Sequence, residues 1–237
     1  MASRAAISAL ALVVISGQAI AVGAQEARAR LDQLVHGLDL TERGAPRWLS
    51  ALTLDLTQPA QERVVAVTPA GELVDSLLGQ SSHAVLGPAF DTRLLQPGAN
   101  LVLVHNHPND SGLSGDDLLQ LTKPGVAAVA AVGHRRSVYV AIAGRSYDRN
   151  AFEHRQYAIA RDELARQLLA QQARGLAGAV VAEHFTHLVS LALAEAGVID
   201  YRATLCASRR ESFERNRLAL TEAVVFAAGR LKARLKR

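Results

Sequence analysis

The sequence predicts an α+β chain, a mixed sheet with flanking helices followed by a helical C-terminal region. Three observations carry this. Apolar, β-rich runs separated by turn residues crowd between positions 63 and 142, and patterns of helical period dominate after about Asn150. A hydrophobic content of 49% over 237 residues is enough to bury a core without disulfides. Aromatic residues supply only 4%, so aliphatic side chains and close approach of Ala-rich elements must fill that core.

The first segment, residues 1–24, has Arg4 near its start, an apolar stretch from Ala5 to Ile15, and small residues ending Ala21-Val22-Gly23-Ala24. That order resembles a secretory signal peptide cleaved after Ala24 and predicts an exported, periplasmic protein. The alternatives are a retained membrane anchor, an Ala-rich first helix of a cytoplasmic protein, or a misassigned start codon. No other stretch approaches the ~18–20 uninterrupted apolar residues needed to span a bilayer. Residues 25–50 form a helical lead-in, with Leu31, Leu34, Val35 and Leu38 at helical spacing and Gly44-Ala45-Pro46 marking its end.

Residues 51–148 hold the sheet. Arg63 to Val67 reads as a strand, Thr68-Pro69-Ala70-Gly71 as a turn, and Glu72 to Leu78 as the return strand. Residues 84–96 are helical or irregular, and Gln96 to Asn100 is a turn cluster leading into the buried strand Leu101 to Val104. Asp116 to Leu121 makes a short helix stopped by Lys123-Pro124-Gly125. Val126 to Val132 and Val138 to Ile142 are strands joined through the hairpin Gly133 to Ser137, and the sheet is expected to end there. Residues 149–237 then read as helices over Phe152 to Ala173, Val180 to Ala196, and Ser212 to the C-terminus, an appendage to the sheet domain.

The formal charge of +4 is uneven. Residues 201–237 carry ten Lys or Arg against three acids, a net +7, which leaves −3 for residues 1–200. Basicity belongs to the tail, which offers contacts to an anionic partner or serves as a solvated helix face; it does not specifically indicate nucleic acid. The single cysteine, Cys206, forms no internal disulfide and belongs to no zinc-finger spacing, so any metal must use His and carboxylate ligands.

Such ligands occur in LVLVHNHPNDSGLSGDDLLQL, residues 101–121. Alternate residues of a strand point the same way, so His105 and His107 share one face at the strand's end while Asn106 turns to the other. Pro108 lacks a backbone donor and ends the ladder, sending the chain into the loop Asn109-Asp110-Ser111-Gly112. Ser114-Gly115-Asp116-Asp117 then opens a helix, where Asp117 can add an oxygen ligand to an ion held by two imidazole nitrogens. Two His and one Asp leave a tetrahedral position open, the mark of a catalytic zinc site in which water is activated near neutral pH. A proton shuttle is needed beside it; Glu62, at the start of the first strand, is the candidate and Glu72 the reserve. The Ser114 hydroxyl is placed to stabilise a developing oxyanion.

A strand followed by H-x-H-P, a loop of small residues and S-x-x-D opening a helix resembles the JAB/JAMM (MPN-plus) metalloprotease family. The His105-Asn106-His107-Pro108 form is typical of its bacterial RadC-like branch. The resemblance covers Glu62 to Ile142 and implies a JAMM-like α/β sandwich that binds one zinc ion through His105, His107 and Asp117. It further implies Ser114 as the oxyanion partner, Glu62 as general acid and base, and an amide or isopeptide bond in a peptide or protein substrate. Glu62 is matched by its place before the first strand only. The family has seven residues between the second His and the Ser, whereas Pro108 to Leu113 supplies six, and Asp116 is a neighbouring carboxylate that offers itself as an alternative ligand.

Plainer readings stand beside this one. Ser114 with Asp117 is also a capping box. His184 and His187 lie three apart on a predicted helix without the H-E-x-x-H order, and read as a partly buried polar face. His134 sits in the hairpin turn, His83 near a strand end, and His36 and His154 on the surface. Two functional alternatives follow: a non-catalytic JAMM-like binding or scaffold module whose helical tail contacts a partner or a viral particle, and a metal-dependent phosphoesterase or nuclease, for which the sequence offers no second metal cluster. The letters H-N-H do not match an HNH nuclease, whose His and Asn are spread over a longer unit.

Overall fold

Seven consecutive buried residues, Leu101–His107, form the strand on which the sheet is built (β3). In the computed structural model, which describes residues 62–68, 72–78 and 88–236, β3 lies between Arg63–Val67 (β1) and Val126–Gly133 (β4). Leu73–Leu78 (β2) pairs outside β1, while Val138–Ala143 (β5) and Ile199–Thr204 (β6) continue beyond β4. The order of the six-stranded sheet is β2-β1-β3-β4-β5-β6, with β3 and β4 parallel and every other neighbouring pair antiparallel. A strand buried on both faces needs no polar alternation, which is why β3 opens as the continuous apolar run Leu101-Val102-Leu103-Val104.

The two faces separate by residue parity. Val64, Ala66, Leu101, Leu103, Val129, Ala131, Tyr139 and Ala141 join one core cluster with helical residues such as Leu118, Leu164, Leu188 and Leu220. Val65, Val67, Val102, Val104, Ala130, Val140 and Ile142 lie buried on the opposite face. At ~1.5–3 kcal/mol for each fully buried Val or Leu, β3 alone anchors the sheet firmly.

The crossover from β3 to its parallel neighbour β4 runs through Gly115–Leu119 (α2) and a 3₁₀ turn, Gln120–Thr122. It follows Pro88–Leu94 (α1), which fills part of the segment expected to be helical or irregular. After the sheet, a π-helical turn at Phe152–Tyr157 leads into Ala158–Gln172 (α3), and Gly178–Glu195 (α4) follows. Thus the first long helix expected from the sequence starts as a wider turn. The last splits at Asn216 into Ala207–Arg215 (α5) and Arg217–Leu235 (α6).

Two expectations are corrected. The sheet does not end at Ile142, because β6 pairs with β5 over Ala143↔Ile199 to Val138↔Thr204. Nor is the second half an appendage. Leu164, Leu168, Leu188, Leu193, Leu220 and Leu231 belong to the same core as the sheet, so residues from 149 onward supply the helical layer over one face. Glu163, buried within that layer, is held by Arg166 at 2.9 Å and Arg234 at 3.0 Å, tying α3 to α6. The signal-peptide and lead-in segments, with His36 and His83, lie outside the described residues. Among the described residues no helix is long and apolar enough to cross a membrane.

Candidate metal centre

β3 delivers His105 and His107 to the face that carries Leu101 and Leu103, as period-two alternation requires. Their Nε2 atoms lie 2.9 Å apart, and both side chains are almost wholly buried. Asn106 faces the other way, where its Oδ1 accepts a hydrogen bond from the Arg63 backbone N–H at 2.6 Å. That bond pins the start of β1 to the end of β3. Because Val64 pairs with His105 in the antiparallel register, Glu62 falls beside His107 on the same face as the two imidazoles. Glu62, His105 and His107 bring ligand atoms within 4.8 Å of one another.

The loop after Pro108 returns the chain to the same place. Asp117 Oδ1 lies 3.0 Å from His105 Nε2, and Oδ2 lies 3.4 Å from His107 Nε2. The capping box is also present: Ser114 Oγ accepts from the Asp117 N–H at 3.2 Å, and Asp117 Oδ2 accepts from the Ser114 N–H at 2.6 Å. The capping-box reading of Ser114 and Asp117 holds, and the cap aims the carboxylate at the two imidazoles. A bond accepted by Oγ leaves the hydroxyl proton of Ser114 free to donate elsewhere.

Tautomer and charge are set by neighbours. His107 Nδ1 lies 2.9 Å from the Ser111 carbonyl, which can only accept, so Nδ1 carries the proton and the Nε2 lone pair faces the cluster. Burial opposes a charged His107, but bonding to Asp117, the Ser111 carbonyl and the Glu62 charge outweigh it and raise its pKa above the usual imidazole value. Burial alone would push the Asp117 carboxyl up; His105 and His107 instead hold it well below the usual carboxylate range.

The donor set fits a zinc ion. Nitrogen and oxygen ligands at ~2.0–2.1 Å from a tetrahedral centre stand about 3.3 Å from one another. The two Nε2 atoms stand 2.9 Å apart, and Asp117 places Oδ1 3.0 Å from the first and Oδ2 3.4 Å from the second, separations near that value although they run to different carboxylate oxygens. Glu62 with the two histidines is a second possible ligand set.

Other expected residues fall away from this cluster. Glu72 is exposed and closes the β1–β2 hairpin against Thr68, about 20 Å along the strand from Glu62 at ~3.3 Å per residue. Asp116 is exposed on α2, turned from the histidines by the helical step to Asp117. His154 is exposed on the π-helical turn. The His134 backbone N–H reaches the His107 carbonyl at 3.4 Å, and its buried Nε2 makes no hydrogen bond among the described residues. His184 and His187 are fully buried and bond Ser212 and Tyr201 at 3.2 and 2.9 Å, a core role more interior than the polar face expected.

Sequence reading missed two supports. Asn106 positions β1, and its place between the histidines on the opposite face was the available signal. Asp110, in the loop, stands in the left-handed region at φ 59° and accepts from the Arg135 N–H at 3.0 Å and from the Ser137 hydroxyl. Comparison with protein-family models, with curated proteins and with solved structures finds no match to this chain.

Proposed function

We propose that this protein is a zinc-dependent hydrolase of JAMM type, cleaving an amide or isopeptide bond in a peptide or protein substrate. The observation that carries the reading is the convergence of His105, His107 and the Asp117 carboxylate within 3.4 Å of one another, with a second carboxylate, Glu62, alongside. Two imidazole nitrogens and a carboxylate suit zinc better than magnesium or calcium, which favour all-oxygen sites. Bound there, zinc supplies a Lewis acid and activates water at neutral pH.

The chain's own residues do the rest. Asp117 completes the ligand set, leaving Glu62 to take a proton from the attacking water and deliver it to the departing amine. The free Ser114 hydroxyl proton donates to the substrate carbonyl oxygen as charge develops on it. His107 keeps its Nε2 directed at the ion through the Nδ1–H bond to Ser111. A cleft of about 380 Å³, lined by Gly115, Asp116, Phe152 and Tyr157 among others, opens beside α2 on the chain segment that follows Ser114.

The six-residue interval between His107 and Ser114 favours one second reading, a binding or scaffold module built on the same metal site. A panel of linear peptides and Lys-linked isopeptides incubated with the zinc-loaded full chain separates the two. Cleavage that a chelator abolishes and added zinc restores is the expected result. A chain that retains zinc and cleaves nothing across the panel is the binding module.

A further inference from the structure

Arg209 is buried in α5, 99 residues from Asp110 in sequence, and reaches into the metal-binding loop. Its Nη1 donates to the Asp110 carbonyl and, at 2.9 Å, to the Tyr139 hydroxyl, which itself donates to the same carbonyl at 3.0 Å. Its Nη2 donates to the Glu183 carbonyl of α4, and Nε lies 3.7 Å from the Glu183 carboxylate. A buried guanidinium is costly unless its donors are matched, and here they are spent on two backbone carbonyls rather than on a paired acid alone.

What those bonds hold is a strained turn. A non-glycine residue in the left-handed region is strained and persists only where its surroundings fix it. The Asp110 N–H donates to the His107 carbonyl at 3.0 Å, its carboxylate is bonded by Arg135 and Ser137, and its carbonyl by Tyr139 and Arg209. The space is equally determined. A Cβ at Gly133 would overlap the Asp110 carboxylate, and one at Gly112 would lie 2.9 Å from the His187 backbone nitrogen of α4. The next carbonyl in the chain, that of Ser111, is the acceptor that fixes the His107 ring.

We propose that Arg209 is a positioning residue for the metal centre: by clamping the Asp110 carbonyl to α4 it orients the adjoining peptide and hence the Ser111 carbonyl that aims His107. The inference rests on the metal-site reading above. It makes the C-terminal helices part of the site's construction, since the clamp spans α4, α5 and the loop after β3.

Zinc affinity of the full chain, measured by competition with a chromophoric chelator, tests it in wild type, Arg209→Met and Arg209→Lys. Loss of an outer partner of a metal-bound His weakens binding by about 10- to 100-fold. That loss is expected for Arg209→Met, with a smaller one for Arg209→Lys, whose single ammonium cannot serve both carbonyls. The visible bands of the cobalt-substituted protein are expected to shift in Arg209→Met while its far-ultraviolet circular dichroism matches wild type, a pattern that a role in stability alone would not give. Zinc affinity of folded Arg209→Met equal to that of wild type overturns the inference and leaves the metal site standing; a wild-type chain that binds no zinc overturns both. Should Arg209→Met fail to fold, Tyr139→Phe decides: it removes one hydroxyl from the same carbonyl, and several-fold weaker zinc binding supports the clamp, whereas unchanged binding overturns it.

Discussion

Glu62→Gln is expected to lower hydrolysis by about 10²- to 10⁴-fold, the usual contribution of a positioned general base, while zinc content is expected to stay at the wild-type level if the proposed function holds. The separation of these two readouts follows from the geometry. Glu62 stands at the head of β1, where the Asn106 side chain pins the next residue's N–H at 2.6 Å. Gln is isosteric and preserves the strand, and on the proposed reading Asp117 would still offer its carboxylate, whose Oδ1 lies 3.0 Å from His105 Nε2 and Oδ2 3.4 Å from His107 Nε2. What Gln removes is the capacity to take and return a proton. Steady-state rates on a peptide that the wild type cleaves, with zinc determined on the same samples, check this. A Glu62→Gln protein that loses zinc along with activity would make Glu62 a ligand, and an unchanged rate would remove it from the chemistry.

The second large effect concerns acid stability and is independent of the metal. His187 is buried between Tyr139, Tyr201 and Phe213, and its pKa is lowered to about 3 by burial first, then by the nearby His184 and Arg209. In the unfolded chain it titrates near ~6.5. Below that pH the unfolded state binds the proton and the folded state does not, so stability falls as pH falls, until the folded group itself titrates. The slope approaches ~1.4 kcal/mol per pH unit, or about 2 kcal/mol by pH 5 and about 4 kcal/mol by pH 3, where the folded group begins to titrate.

The other shifted groups act in different windows. Asp117, lowered in the folded state, contributes stability above its unfolded value of ~3.9 that is lost only as pH falls below it. His107, raised, contributes stability that is full below ~6.5 and lost as pH rises through its folded value. His184, also lowered, adds to the His187 trend. Urea midpoints of the metal-free chain between pH 7 and 4.5 are therefore expected to fall steeply in wild type and less steeply in His187→Gln. Parallel curves would show that His187 does not bind its proton differently in the two states.

Much of this fold is written in local pattern. The apolar run of β3, the turn at Gly133 to Ser137 between β4 and β5, and the strand alternation that puts His105 and His107 on one face all follow from neighbouring residues. So does the capping box that returns Asp117 to them. What local pattern does not carry is pairing. Glu62 comes beside His107 only because β1 lies antiparallel to β3 in one register, a choice made by the sheet as a whole.

β6 escaped notice for a related reason. It is an edge strand with Asp200 and Arg202 alternating between Ile199, Tyr201 and Ala203, a short and charged pattern set among helices. The break at Asn216 and the π-helical turn at Phe152–Tyr157 interrupt sequences whose helical character is otherwise continuous. Arg209 carried no local signal at all, since its partner lies across the fold.

The claim on which the account stands is that His105, His107 and Asp117 bind a metal ion, and zinc content of the purified full chain beside that of His107→Ala tests it most directly. The expected result is one zinc ion per wild-type chain and loss of most of it in the variant, with secondary structure retained. Equal zinc in both proteins would contradict the account.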